Sequence, residues 1–298
     1  MILEEATKLA SIICPVFNMA GRLQTLKEWV GKLSSNPQIE IIIINDYSDE
    51  ATSAELRAIY EENENLKLIE GNFGNPGSAR NAGLEICQGK WVIFWDSDDK
   101  PDVENFLTLL NYIDVRSPDI CFGVYKIFNE ISHLTSESPA WSSDTRKDLN
   151  TVARNPGIWR IVFARDLIQG LSFEPLRMAE DQIFICQAIS RASKFVFADN
   201  QIYTYFTGSN SHLTKNSAAL QDLLPAFKKT SEILKLSTGQ VAPFLSLMAA
   251  KQMMSGSRHG NMRTRFGLLA EFFRTKLFIK PTFLNALRAV IQTSVRGA

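Results

Sequence analysis

Apolar residues fall into short unbroken runs separated by stretches with helical spacing. Residues 11–17 (SIICPVF) predict a buried strand and residues 39–44 (IEIIII) a β-branched one. Between them Leu23, Leu26, Trp29, Val30 and Leu33 recur at helical spacing, which predicts a helix over 21–33. Ser48 or Asp49 can cap a helix running to about Glu62. Further strands are predicted over 66–69, 91–95 (WVIFW) and 120–128, and helices over 76–87 and 102–113. Pro76 opens the first of these helices and Gly89 follows it. This alternation, with strands apolar throughout, predicts a parallel sheet covered on both faces. Ligands bind such sheets at the carboxyl ends of the strands. Phe17-Asn18, Asn45-Asp46 and Asp96–Asp99 then share one rim.

The rest of the chain is less regular. Residues 129–155 are rich in Ser, Thr, Asp and Glu and predict a long loop over the site, a candidate lid. Residues 159–169 are mixed apolar, 180–192 helical, and 194–206 (KFVFADNQIYTYF) predict two short strands around a turn at Asp199-Asn200. From about Lys215 only helices are predicted. The expected division is a nucleotide-binding domain over 1–214 and a helical region over 215–298. From Arg258 onward that region carries Arg263, Arg265, Arg274, Lys276, Lys280, Arg288 and Arg296 against Glu271 alone, with apolar residues interleaved. Such a basic amphipathic tail reads as a contact with an anionic membrane surface, as a homodimer element, or as a helical cap.

Composition narrows the function classes. The 298 residues are 45% hydrophobic and 21% charged, and the 32 basic and 32 acidic residues cancel. A neutral chain has no overall pull toward nucleic acid, and none is expected as a partner. Cys14, Cys87, Cys121 and Cys186 are far apart in apolar runs, which predicts buried reduced thiols. The N-terminus has no basic segment ahead of an apolar core, and no run reaches the ~18 apolar residues of a spanning helix. A cytoplasmic location is expected, with the inner membrane face as the place where the basic helices would touch.

Four segments can carry chemistry. Asp96-Ser97-Asp98-Asp99 follows an apolar strand. Carboxylates this close repel one another unless a cation offsets them, and their oxygens suit Mg²⁺ or Mn²⁺. The plainer reading is a solvated acidic turn ahead of a helix. Asn45-Asp46-Tyr47-Ser48-Asp49 can offer a carboxylate to a base or ribose, or can simply cap a helix. Gly74-Asn75-Pro76-Gly77-Ser78-Ala79-Arg80 is a Gly-rich turn opening a helix, able to face an anion. It is neither GxGxxG nor a P-loop. Glu180-Asp181 begins a helix, where acids favour the dipole, and can supply a general base.

Together these segments resemble the family 2 glycosyltransferases, an inverting family, over residues from about Leu9 to about Thr214. CPVFN is similar to the family's P-V-Y-N strand end, INDYSD to its D-D-G-S-x-D, GNPGSARNAG to its N-x-G-x-x-x-A-R-N-x-G, DSDD to its D-x-D and EDQIF to its E-D pair. The resemblance implies an α/β GT-A fold, a Rossmann-like mixed sheet with helices on both faces and a C-terminal helical extension. It implies that Pro15, Phe17, Asn18, Asp46, Arg80, Asp96 and Ser97 bind the nucleotide-sugar and that Asp98 binds the metal. Asp181 would be the catalytic base and Glu180 an acceptor contact. Asn45 and Tyr47 depart from the commonest pattern, which leaves open whether Asn45 or Asp46 faces the base. The implied donor is a nucleoside-diphosphate sugar, UDP by default, with Mn²⁺ or Mg²⁺ as cofactor. The implied acceptor is a glycan or lipid-linked hydroxyl in surface polysaccharide or glycolipid assembly. A sugar nucleotidyltransferase would want a Gly-rich basic loop where this chain reads FNMAGRLQTL. A catalytically degenerate sugar-nucleotide-binding partner protein is the alternative.

Overall fold

The computed structural model describes residues 8–208 and 219–296. In chain order the elements are β1 (Ala10–Val16), α1 (Gln24–Leu33), β2 (Ile39–Asp46), α2 (Glu50–Glu61), β3 (Leu66–Gly71), α3 (Pro76–Ile86), β4 (Trp91–Phe94), β5 (Lys100–Pro101), α4 (Val103–Arg116), β6 (Ile120–Asn129), β7 (Thr135–Glu137), α5 (Thr145–Arg154), β8 (Ile161–Ala164), α6 (Arg165–Ile168), α7 (Glu180–Arg191) and β9 (Phe195–Thr207). Four further helices follow, α8 (Leu223–Leu236), α9 (Ala242–His259), α10 (Met262–Arg274) and α11 (Pro281–Arg296).

The strands form one sheet in the order β3-β2-β1-β4-β8-β6-β9-β5, with β7 beside β6. The first four are parallel, as their apolar runs predict. The sheet is nevertheless mixed, because β8 runs antiparallel between β4 and β6. The chain leaves β1 on one side for β2 and β3 and returns on the other as β4. Strand order therefore reverses between β1 and β4, which is where an open α/β sheet forms its ligand crevice. Proline helps open it. The Ile13 carbonyl accepts from the Trp95 N–H at 3.0 Å, and the next β1 N–H toward β4 would belong to residue 15, which is proline.

Three expectations are corrected. Residues 129–155 are not a featureless loop: Asp144 accepts from the N–H groups of Arg146 and Lys147 and starts α5, whose Leu149, Val152 and Ala153 are buried. Residues 159–169 contain strand β8. The two strands expected over 194–206 are the single strand β9. Its pairing with β6 steps from Phe122↔Phe197 to Val124↔Gln201, so Asp199-Asn200 lies in a bulge rather than a turn. The bulge crowds β6 at Gly123, where a Cβ would lie 2.7 Å from Ile202.

At the opposite end of β2, Glu40 is a buried carboxylate inside the apolar run. It binds the Ser11 hydroxyl, Lys67 Nζ at 2.5 Å and the Gln88 N–H at 2.8 Å, joining β1, β2, β3 and the turn before β4. A buried charge persists only when partnered in this way.

Chain contacts divide the molecule into two compact units. Among the described residues one holds 8–141, 158–172 and 192–208, which is the sheet with α1–α4 and α6. The other holds 142–157, 173–191 and 219–296, an all-helical body of α5 and α7–α11. Within the helical body, Lys251 of α9 donates to the Ala153 and Arg154 carbonyls at 3.1 and 2.5 Å and so caps the end of α5. No helix among the described residues is long and apolar enough to cross a membrane.

Candidate functional site

The rim at the strand ends is built by four elements of the sheet unit. β1 ends at Val16 and leaves Phe17 exposed. Asn18 follows at φ +50°; its Oδ1 accepts from the Asp49 N–H at 2.9 Å and its own N–H donates to Ser48 Oγ at 3.1 Å. Asn18 thereby ties the end of β1 to the start of α2. Tyr47, at φ +53°, is the matching left-handed residue after β2. Left-handed non-glycine residues are uncommon and gather where a site over-determines the backbone.

Asn45 and Asp46 point to different tasks. Asn45 is buried, with Nδ2 donating to Ser53 Oγ at 3.0 Å and Glu70 Oε1 at 3.2 Å, and Oδ1 accepting from the Ser48 N–H. Asp46 Oδ1 accepts from the N–H groups of Phe73 and Gly74 at 2.6 and 2.9 Å, which leaves Oδ2 for another partner. That grip fixes the Gly-rich turn ahead of α3. Asn75 caps α3 by accepting from the Ser78 N–H at 2.8 Å, and Pro76 occupies its first turn. The helix lies tight on the sheet: a Cβ on Gly83 would meet Ile13 at 2.6 Å. This close approach brings Arg80 to Asp96, with Nη2 to Oδ1 at 2.7 Å.

Within Asp96–Asp99 the acids separate by environment. Trp95, wedged edge-on against Trp29 and Phe106, anchors the turn in the core. Asp96 is half-buried on Arg80, Ser97 is buried and Asp98 faces solvent. Asp99 points inward, 2% exposed. Its Oδ1 accepts from the Phe206 N–H at 2.8 Å. Burial, and then the charges of Asp96 and Asp98, push the Asp99 carboxyl well above the usual range. Tyr203 lies behind the turn. Its hydroxyl accepts from the Asp96 N–H at 3.1 Å, and its ring stacks on Trp159 at 4.6 Å. Burial and the neighbouring Asp99 push that hydroxyl up, so it stays neutral.

A divalent cation fits this turn. Its carboxylate oxygens are hard donors of the kind such an ion takes. Among the described residues no three His, Cys, Asp or Glu side chains form a complete metal cage.

In the helical unit, Glu180 and Asp181 begin α7, Glu180 buried and Asp181 half-buried. Asp181 Oδ1 accepts from the Gln182 N–H at 2.7 Å. The preceding Ala179 is held at φ +66°, a third left-handed residue beside a predicted site residue. Tyr203 and Tyr205 lie on β9. The reading from spacing missed Phe206 and the support Tyr203 lends, since both partners are 107 residues from the acids they hold.

Comparison with known proteins identifies the family and the fold. Residues 11–170 match the family described as Glycosyl transferase family 2. The chain is 26% identical over 245 residues to a poly(ribitol-phosphate) beta-glucosyltransferase of Bacillus spizizenii, covering 80% of this chain and 39% of that protein. It is 24% identical over 294 residues to the poly(ribitol-phosphate) beta-N-acetylglucosaminyltransferase TarS of Staphylococcus aureus, covering 95% of this chain and 49% of that protein. The chain thus spans less than half the length of these two relatives. The fold matches the crystal structure of S. aureus TarS 1–349 in complex with UDP-GlcNAc, with a TM-score of 0.68 at 16% identity over 97% of this chain and 92% of that one. It also matches the mannosyltransferase PcManGT of Pyrobaculum calidifontis in complex with GDP-Man and Mn²⁺, with a TM-score of 0.57 at 14% identity over 96% and 86% of the two chains. At these identities the likeness is one of fold, the GT-A fold.

Proposed function

The chain belongs to glycosyl transferase family 2, and on that premise we propose that it moves a sugar from a nucleoside diphosphate to an acceptor hydroxyl with inversion at the anomeric carbon. The observation that carries the proposal is the linked rim at the strand-order reversal. Asp46 holds the turn before α3, and α3 delivers Arg80 to Asp96. We read the domain over 1–214 as catalytic and the region over 215–298 as its helical extension.

In this reading Phe17 lies against the base, and Asp46 accepts from it through Oδ2. Asn45 is already spent on Ser53 and Glu70, so its departure from the family pattern need not weaken the site. Pro15 and Asn18 shape the crevice wall. Asp96 and Ser97 meet the ribose side, with Arg80 holding Asp96 in place. Asp98 would hold Mn²⁺ or Mg²⁺, which when bound neutralises charge on the departing diphosphate. Asp181 removes the proton from the acceptor hydroxyl. The hydroxyl oxygen bonds to the anomeric carbon on the face opposite the diphosphate. The bond to the diphosphate breaks, and its electron pair leaves on the phosphate oxygen. Glu180 contacts the acceptor.

UDP is the donor nucleotide we favour, supported by the relative solved with UDP-GlcNAc. A glycan hydroxyl in surface-polymer or glycolipid assembly is the acceptor we favour, supported by the two poly(ribitol-phosphate) transferases. Calorimetry with UDP, GDP, dTDP and CMP, each with Mn²⁺ or with EDTA, tests the proposal. Metal-dependent binding of one diphosphate that disappears in Asp98→Ala is the expected result. A folded chain that binds none of them would move the reading to a degenerate partner protein.

A further inference from the structure

Helix α10 carries side chains of different character on opposite sides. Thr264, Leu268 and Glu271 are buried on one side. On the other, Met262, Phe266, Leu269 and Phe273 are 47–63% exposed. At about 100° per residue these four fall within an arc of about 60°, facing away from the buried set. Phe278 continues the stripe at 5.8 Å from Phe273, and Ile279 beside it is 64% exposed. The same spacing sets Arg265 on one flank of the stripe and Arg263 on the other. Over residues 258–296 the single acid is Glu271, buried and bound to Arg274 at 2.6 and 2.7 Å. A contiguous apolar stripe turned to water marks an interaction surface.

We propose that α10 and the 277–279 turn lie in the surface of an anionic lipid bilayer. The apolar stripe enters the boundary between headgroups and acyl chains and Arg263 rests on lipid phosphates, while Arg265 is held to the Gly260 and Arg258 carbonyls at 2.9 and 3.1 Å. The flanking charge selects this occupant over a second copy of the chain. Stripe-on-stripe pairing about a two-fold axis would bring arginines together, with no exposed carboxylate on the helix to receive them. The proposal does not rest on the donor chemistry proposed above, so either can fail alone.

The test is flotation of the full chain with vesicles of phosphatidylcholine alone and with about 30% phosphatidylglycerol added. Binding is expected to the anionic vesicles only, weakening as salt is raised. The pair Phe266→Asp and Phe273→Asp should lower the bound fraction about tenfold or more, and Arg263→Glu should lower it less. All three positions face solvent, so circular dichroism and melting should be unchanged. Phe273→Trp supplies an independent signal, a blue shift of emission on adding anionic vesicles. A folded chain that stays unbound at low salt overturns the proposal, as does flotation indifferent to the Phe266→Asp and Phe273→Asp pair. A dimer that Phe266→Asp dissociates, with no vesicle binding, would assign the stripe to a second copy instead.

Discussion

Arg80 Nη2 lies 2.7 Å from Asp96 Oδ1, and the arginine is the more deeply buried partner, 5% exposed against 28%. The pair joins the helix after the Gly-rich turn to the acidic turn after β4. Removing one partner of such a pair leaves the other charge partly buried. Arg80→Ala is expected to destabilise the fold by about 3–5 kcal/mol and to abolish diphosphate binding. Arg80→Lys should recover part of the stability and little of the binding, since a point charge cannot reproduce the guanidinium fork. Urea unfolding and nucleotide calorimetry on the same preparations check both.

Asp98 and Asp181 should fail differently. Asp98 faces solvent, so Asp98→Asn is expected to leave melting unchanged and to remove metal-dependent nucleotide binding. Asp181→Asn should retain nucleotide affinity while turnover drops by about 10²–10⁴-fold. A parallel loss of binding in both variants would count against assigning Asp181 as the base.

Glu40 is a stability residue far from that chemistry. Glu40→Ala removes the acceptor of the Ser11 hydroxyl and of the Gln88 N–H and is expected to lower unfolding free energy by about 2–4 kcal/mol. Lys67 is well exposed and contributes the smaller share. Glu40→Gln, which keeps an acceptor, should lose less in the same urea titration.

Lys251 gives the helical unit a pH signature. Burial pulls its ammonium down to about 8 from an ordinary value of 10.5. Between these values the unfolded chain binds more protons than the folded one, so this group's contribution to stability rises with pH over about 8–10.5. Wild type should therefore gain on Lys251→Met as pH is raised through that window. A stability difference flat in pH between the two proteins would contradict it.

The thiols are a direct check on packing. Cys14, Cys121 and Cys186 are buried, and burial pushes all three up; Cys87 is also raised but is partly exposed. A disulfide reagent at neutral pH should titrate Cys87 alone, slowly, and the other three only after denaturation.

How much of this was legible in the chain depends on signal length. β1 to β4 and α1 to α4 read directly, because each apolar run or helical stripe is long enough to repeat. β5 has two residues and can carry no period. β8 has four, too few to show a strand period. α5 was hidden because its apolar side is only Leu149, Val152 and Ala153, although Asp144 was a visible cap. At Asp199-Asn200 turn chemistry was present and the sheet used it as a bulge. In the site, the strand-end acids were legible from order and type alone. Their division into an arginine-bound Asp96, an outward Asp98 and an inward Asp99 was not, because β9 decides it from a distance.

The dependence of the acidic turn on β9 imposes an order of assembly. Asp96 and Asp99 take their supports from Tyr203 and Phe206, which emerge from the ribosome long after them. Contacts so distant in sequence close late in folding, after local helices and neighbouring strands have formed. A nascent chain therefore carries its Gly-rich turn and its acids well before it can set them in place. The acidic turn proposed to meet the donor is therefore braced only once residue 207 has been made and docked.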